Sequence, residues 1–167
     1  MTRFGWLLGC IAALMACSLN GARAQGADAD LGKNWDLRAG FFVPERAAAR
    51  AAEGDIWVTV GAEKAIYYQE RYRGTFSIDY YGSGKIYNIP ICLNARGETN
   101  RFRYGIGAGV GINHDLVESK LGFSYNVLLG YVLTMGTNPI VFDIRYQGLS
   151  VGGNSLNGWQ FTAGYHF

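Results

Sequence analysis

Reactive side chains are few in this chain. It has two histidines, His114 and His166, and three cysteines, Cys10, Cys17 and Cys92. One stretch could assemble a catalytic unit: Asn113-His-Asp115, followed by Ser119 and Ser124. A serine activated by an imidazole that an acid orients is the machinery of acyl transfer. His114 reads more simply as a loop residue, so catalysis is not expected. No Cys/His spacing suits a metal, and neither a phosphate loop nor a G-x-S-x-G elbow is present. Gly105, Gly107, Gly109 and Gly111 alternate with apolar residues, whereas a phosphate loop joins a strand to a helix. No cofactor is expected.

The rest of the chemistry is charge. Asp36, Arg38, Glu63, Arg73, Asp79, Arg101, Arg103, Asp143 and Arg145 each fall on the polar side of a segment whose other side is apolar. Charges enclosed together must pair, because an unpaired buried charge is costly. Two uses fit such a set. One is structural, an ionic core filling a narrow interior; the other is a narrow gated path for ions. The structural use is the expectation, since a small barrel has an interior just wide enough for side chains.

Positioning these charges requires strands. From Trp35 onward, apolar and polar residues alternate with the period of two that gives a strand two unlike faces. The alternation predicts strands at about 35–43, 55–64, 72–81, 86–94, 101–113, 121–134, 140–147 and 159–167. The clearest is the fifth. Phe102, Tyr104, Ile106, Ala108, Val110 and Ile112 lie opposite Arg101, Arg103 and the four glycines. Pro90 weakens the fourth, because it cannot donate to a ladder. Segment 65–71 is too long and too aromatic for a simple turn and is expected to extend its neighbours. Arg96-Gly97 reads as part of a turn at 95–100. The stretch from Glu45 to Glu53, rich in alanine, is the one helix-like sequence after the leader and is expected to cap a loop.

Alternation does not say which face is outside. A soluble lipocalin-like barrel turns its apolar face inward and covers its outer face with Lys, Glu and Asp. Here the polar face is mainly Gly, Ser, Thr and Asn, and charged residues are only 17% of the chain, against roughly 25% in a soluble domain. Four glycines on one strand face suit a lumen with no room for side chains, not a solvated surface.

The start of the chain predicts export. Arg3, an apolar run from Phe4 to Leu19 and the small-residue site Ala22-Arg-Ala24 read as a signal peptide, residues 1–24. Leu14-Met-Ala-Cys17 is a looser rival, a lipoprotein box. Removing the leader takes away Arg3, Arg23, Cys10 and Cys17, leaving 13 basic against 13 acidic residues. A neutral chain without a basic stripe argues against nucleic acid as a partner. The single remaining Cys92 excludes an internal disulfide.

The last residues, Trp159-Gln-Phe161-Thr-Ala163-Gly-Tyr165-His-Phe167, form an aromatic strand closing on phenylalanine. With the signal sequence and the strand count, this resembles the small bacterial outer-membrane β-barrels of the OmpA/OmpX-like superfamily. The resemblance implies an eight-stranded antiparallel up-and-down transmembrane barrel over 35–167, after a short periplasmic segment 25–34. It implies both ends in the periplasm, with outer loops at about 44–54, 81–85, 113–120 and 148–158. It implies that Trp159, Phe161, Tyr165 and Phe167 are read by the barrel assembly machinery, that the barrel sits among outer-membrane lipids as a monomer, and that the ionic interior is similar to the OmpA plug. It names no surface ligand. The lipid A deacylases of this scaffold carry His-x-Ser on the penultimate strand, where this chain has Arg145-Tyr-Gln147. A structural or surface-interaction role is therefore expected. A narrow pore and a lipid A-modifying enzyme are the rivals.

Overall fold

A computed structural model describes residues 35–69, 72–114, 119–133, 139–152 and 154–166. The expected leader 1–24 and segment 25–34 lie outside them, as do Asp115 and Phe167. In chain order the elements are β1 (Trp35–Pro44), α1 (Ala47–Glu53), β2 (Trp57–Gln69), β3 (Tyr72–Gly82), β4 (Tyr87–Thr99), β5 (Phe102–His114), β6 (Ser119–Leu133), β7 (Ile140–Val151), a two-residue β8 (Asn154–Ser155) and β9 (Gly158–His166).

Every long strand pairs antiparallel with its neighbour in sequence, β7 pairs with β9, and β9 pairs back onto β1 from Asp36↔His166 to Pro44↔Gly158. The sheet is therefore a closed eight-stranded antiparallel barrel, with β8 as a short addition to the end of β7. Closure leaves no free edge. It also settles which face is which. Leu37, Phe41, Val58, Leu93, Ile106, Val110, Leu129 and Ile144 point outward and are 45–64% exposed, while the alternating polar residues are buried within.

The strands run further than the alternation predicts, most at the ends of β2, β4 and β7, the last reaching Val151 and so into the expected 148–158 loop. β2 reaches Gln69, so segment 65–71 extends β2, whereas β3 begins at Tyr72, where the alternation predicts. A bulge between Ala65 and Tyr67 breaks the phase, and a bulge hides a strand from a period-of-two reading. β4 continues to Thr99, leaving only Asn100 and Arg101 as the turn, with Asn100 at φ 59°. Pro90 is accommodated within β4. It sits opposite Gly111 on the β5 side, and the β3 ladder lapses around it, running to Ile78↔Ile91 and resuming at Tyr81↔Asn88.

Both ends of the barrel are distinct. At one, tight connections join β2 to β3 and β4 to β5; this is the turn end. At the other, α1, the 83–86 turn and β8 gather; this is the helix end. There the interior is closed by an apolar cluster of Phe42, Ala49, Trp57, Tyr81, Ile86 and Leu156. Phe42 lies 4.2 Å from the Tyr81 ring and 5.9 Å from that of Trp57.

Candidate functional site: the barrel interior

Residues of opposite charge meet in the lumen because alternate positions of each strand must point there. Arg38 on β1 donates from Nε and Nη2 to both oxygens of Asp79 on β3, each at 2.8 Å. Its Nη1 donates to Glu63 Oε2 on β2, also at 2.8 Å. Arg96 on β4 donates to both oxygens of Glu63, at 2.7 and 3.1 Å. Arg145 on β7 reaches Asp79 at 3.2 Å and Glu63 at 3.3 Å. Thr75 donates its hydroxyl to Glu63 Oε1. Three guanidiniums thus surround two carboxylates, and all five side chains are nearly or fully enclosed.

Toward the turn end a second group forms. Arg103 on β5 donates to Asp36 Oδ2 at 2.7 Å, and the His166 ring meets Asp36 Oδ1. Asp143 on β7 is buried, with Oδ1 lacking a hydrogen-bond partner, but lies within electrostatic reach of Arg38 and Arg103. Across both groups, Arg38, Arg96, Arg103 and Arg145 balance Asp36, Glu63, Asp79 and Asp143. Neutrality is what enclosed charges require, since each uncompensated one would cost several kcal/mol.

Above the ionic layer, toward the apolar cluster, neutral polar residues fill the space. Asn94 donates to Thr75 at 3.2 Å and Ser77 at 3.1 Å, and Asn126 donates to Asn94 at 2.9 Å. Gln147 donates to Ser124 at 2.9 Å, and Gln160 to Thr59. The glycines of β5 make room for this filling. A Cβ at Gly105 would meet Arg96, one at Gly107 would meet Asn94 and Asn126, and one at Gly111 would meet Leu149.

Of the sequence candidates, Asp36, Arg38, Glu63, Asp79, Arg103, Asp143 and Arg145 are all in the lumen. Arg101 is not. It is exposed in the turn, because β4 and β5 meet over two residues and the strand alternation ends at Phe102. Arg73 sits at the rim, half-buried, with Nη2 3.5 Å from Glu98. Arg96 takes the place that the sequence assigned to Arg101. The glycine after it suggested a turn, but continuing the alternation of Leu93 and Ala95 outward with Asn94 and Arg96 inward would have found it.

Of the possible acyl-transfer set, Asp115 lies outside the described residues, the β5–β6 register puts Ser119 opposite His114, and Ser124 is set apart from both. His114 lies at the end of β5 with its ring 4.8 Å from that of Tyr87 on the outer side. Ser124 is fully buried on the lumen side, donating to the Gly148 carbonyl and holding Cys92 at 3.6 Å. The barrel wall separates Ser124 from His114. Among the described residues no group of His, Cys, Asp and Glu could hold a metal.

Trp159, Phe161 and Tyr165 all face outward on β9, with Phe161 stacked on Phe41 at 5.1 Å. Trp159 joins Tyr146, Tyr125 and Phe123 in a chain of rings across three strands near the helix end. Phe102 and Tyr131 pair near the turn end, as do Lys64 and Trp35.

A solved structure with a similar course is that of the Yersinia pestis outer membrane protein Ail in a phospholipid bilayer nanodisc. The two superpose with a TM-score of 0.55 over 81% of this chain and 99% of Ail, at 11% identity. The likeness is one of fold. No known family and no curated protein matches the chain by sequence. Ail supplies an experimentally determined barrel of similar fold.

Proposed function

We propose that this protein is an integral outer-membrane β-barrel with a plugged, non-conducting lumen and a structural or surface-interaction role carried by its helix-end loops. The observation that carries the reading is the direction of the two faces. The apolar side of every strand is turned out and the ionic side in, the reverse of a soluble barrel, and an apolar belt this broad is stable against lipid and not against water. The aromatic bands fit the two interfaces. Strand length fits too. The thirteen residues of β5 reach about 44 Å at roughly 3.4 Å each, or about 34 Å along the axis at a tilt of about 40°, more than the ~25 Å apolar band of such barrels.

The fold shared with Ail supports the same placement. On this reading the leader directs export, and the outward aromatics Trp159, Phe161 and Tyr165, with Phe167, serve the assembly machinery. The termini then face the periplasm and the helix end faces outward. Migration in SDS gels, with and without boiling, tests the reading on protein from isolated outer membranes. A folded barrel shifts on heating. Recovery in the soluble periplasmic fraction, with no shift, would refute it.

A further inference from the structure

We propose that the neutral polar layer beneath the aromatic closure is a binding site for buried water, which ties that closure to the opposite wall of the barrel. Four side chains carry the inference: Tyr81 on β3, Asn88 on β4, Gln147 on β7 and Gln160 on β9. All four are fully enclosed. Each has a polar atom without a hydrogen-bond partner in the protein: the Tyr81 hydroxyl, Asn88 Nδ2, Gln147 Oε1 and Gln160 Oε1. Enclosed polar atoms are nearly always bonded to something, and a cluster of exceptions marks a place for a small polar guest. The site lies in the interior and stands independently of the role proposed for the loops.

Strand pairing places the four in one layer. Asn88 is the β4 partner of Tyr81. Gln160 is the β9 partner of Phe42, whose ring lies 4.2 Å from that of Tyr81. Gln147 is two residues beyond Arg145, the β7 partner of Gln160, so the two glutamines are diagonal neighbours on the lumen face. In the closed strand order β3 and β7 stand opposite one another, so the tyrosine and Gln147 approach from facing walls.

The hydrogen bonds already made fix what the remaining atoms can take. Ser124 donates its hydroxyl to the Gly148 carbonyl at 3.2 Å, so it accepts from Gln147 Nε2 at 2.9 Å. Thr59 donates to the Tyr80 carbonyl at 2.9 Å, so it accepts from Gln160 Nε2. Both amides are thereby held with Oε1 left over as an acceptor. Asn88 Oδ1 accepts from Asn113 at 2.7 Å, which leaves Nδ2 as a donor. The Tyr81 hydroxyl can do either. A cation would meet the Asn88 N–H and, in the layer below, three guanidiniums that outnumber the carboxylates of Glu63 and Asp79. An anion would meet two amide oxygens. Water donates to the oxygens and accepts from the N–H or the hydroxyl, and two to four such partners are what a buried water takes. Phe42, Trp57 and Tyr81 close the layer from the helix end, which excludes larger solutes.

Two measurements test the site, each on protein first checked for the heat-dependent gel shift. One is a crystal structure grown from lipid at a resolution that shows ordered water. The expected density is a water within hydrogen-bond distance of Gln147 Oε1 or Gln160 Oε1 and of the Tyr81 hydroxyl or Asn88 Nδ2. The other is the urea midpoint of Tyr81→Phe in lipid vesicles. This variant keeps the ring and its contact with Phe42 and loses only the hydroxyl. With water bridging that hydroxyl to the far wall, its removal takes away a bond and the midpoint falls. In a dry layer, removal relieves an unpaired group and the midpoint rises. No water in the density, or a midpoint unchanged or raised, would overturn the site.

Discussion

Glu63 is the carboxylate on which the interior turns, since it accepts from Arg38, Arg96, Arg145 and Thr75 at once. Removing its charge leaves three guanidiniums facing Asp79 alone. Breaking a buried ionic set by deleting one partner typically costs about 3–5 kcal/mol. Glu63→Gln should lower unfolding stability by that order, read as the urea midpoint of protein folded in lipid vesicles. Arg96 and Arg101 make a sharper pair. Arg96→Ala should be clearly destabilising in the same assay, whereas Arg101→Ala, at an exposed turn, should stay within about 0.5 kcal/mol. Equal effects would place Arg101 in the lumen after all.

Among the elements, β5 shows the division of faces most plainly. Ile106 is 64% exposed on the outer side, and its neighbour Gly107 faces the interior. Ile106→Arg should cost about 2–4 kcal/mol, the penalty for a cation against the middle of a bilayer. Gly107→Ala should fail for a different reason: even a methyl group there would collide with the Asn94 and Asn126 amides, an overpacking cost of about 1–3 kcal/mol. Moving both proteins from lipid vesicles to a thinner bilayer should relieve the first and leave the second unchanged. β4 teaches the complementary lesson about reading elements. Its end at Thr99 was hidden by Arg96-Gly97, a pair that looks like a turn locally. Pairing with the thirteen-residue β5 carries it on, because an antiparallel strand extends as far as its partner offers hydrogen bonds.

For the whole molecule, the filled lumen bears on transport. Phe42, Trp57 and Tyr81 close the helix end, and the neutral polar and ionic layers occupy the interior below them. Planar bilayers containing the protein should show no steady single-channel conductance. A stable conductance altered by Arg103→Ala or Asp143→Asn would favour the pore instead. Replacing residues 46–54 by a glycine-serine linker should leave the heat-dependent gel shift intact, because α1 adds no rung to the barrel.

The sequence by itself determined the architecture. A period of two over eight segments, with glycine and small polar residues where a soluble barrel would carry charge, admits few folds, and the closed barrel matches it. Among the described residues it also named seven of the eight charges enclosed in the lumen, because alternation assigns a side to every residue of a regular strand. What only the tertiary structure decided lies where that regularity stops. The bulge at Ala65–Tyr67 shifts the phase of β2, and strand pairing rather than local turn chemistry sets the end of β4, exchanging Arg101 for Arg96. The partners of each charge, the aromatic closure of Phe42, Trp57 and Tyr81, and the polar layer beneath it depend on which strands face one another across the lumen. That is a property of closure and stagger, and no local pattern encodes it.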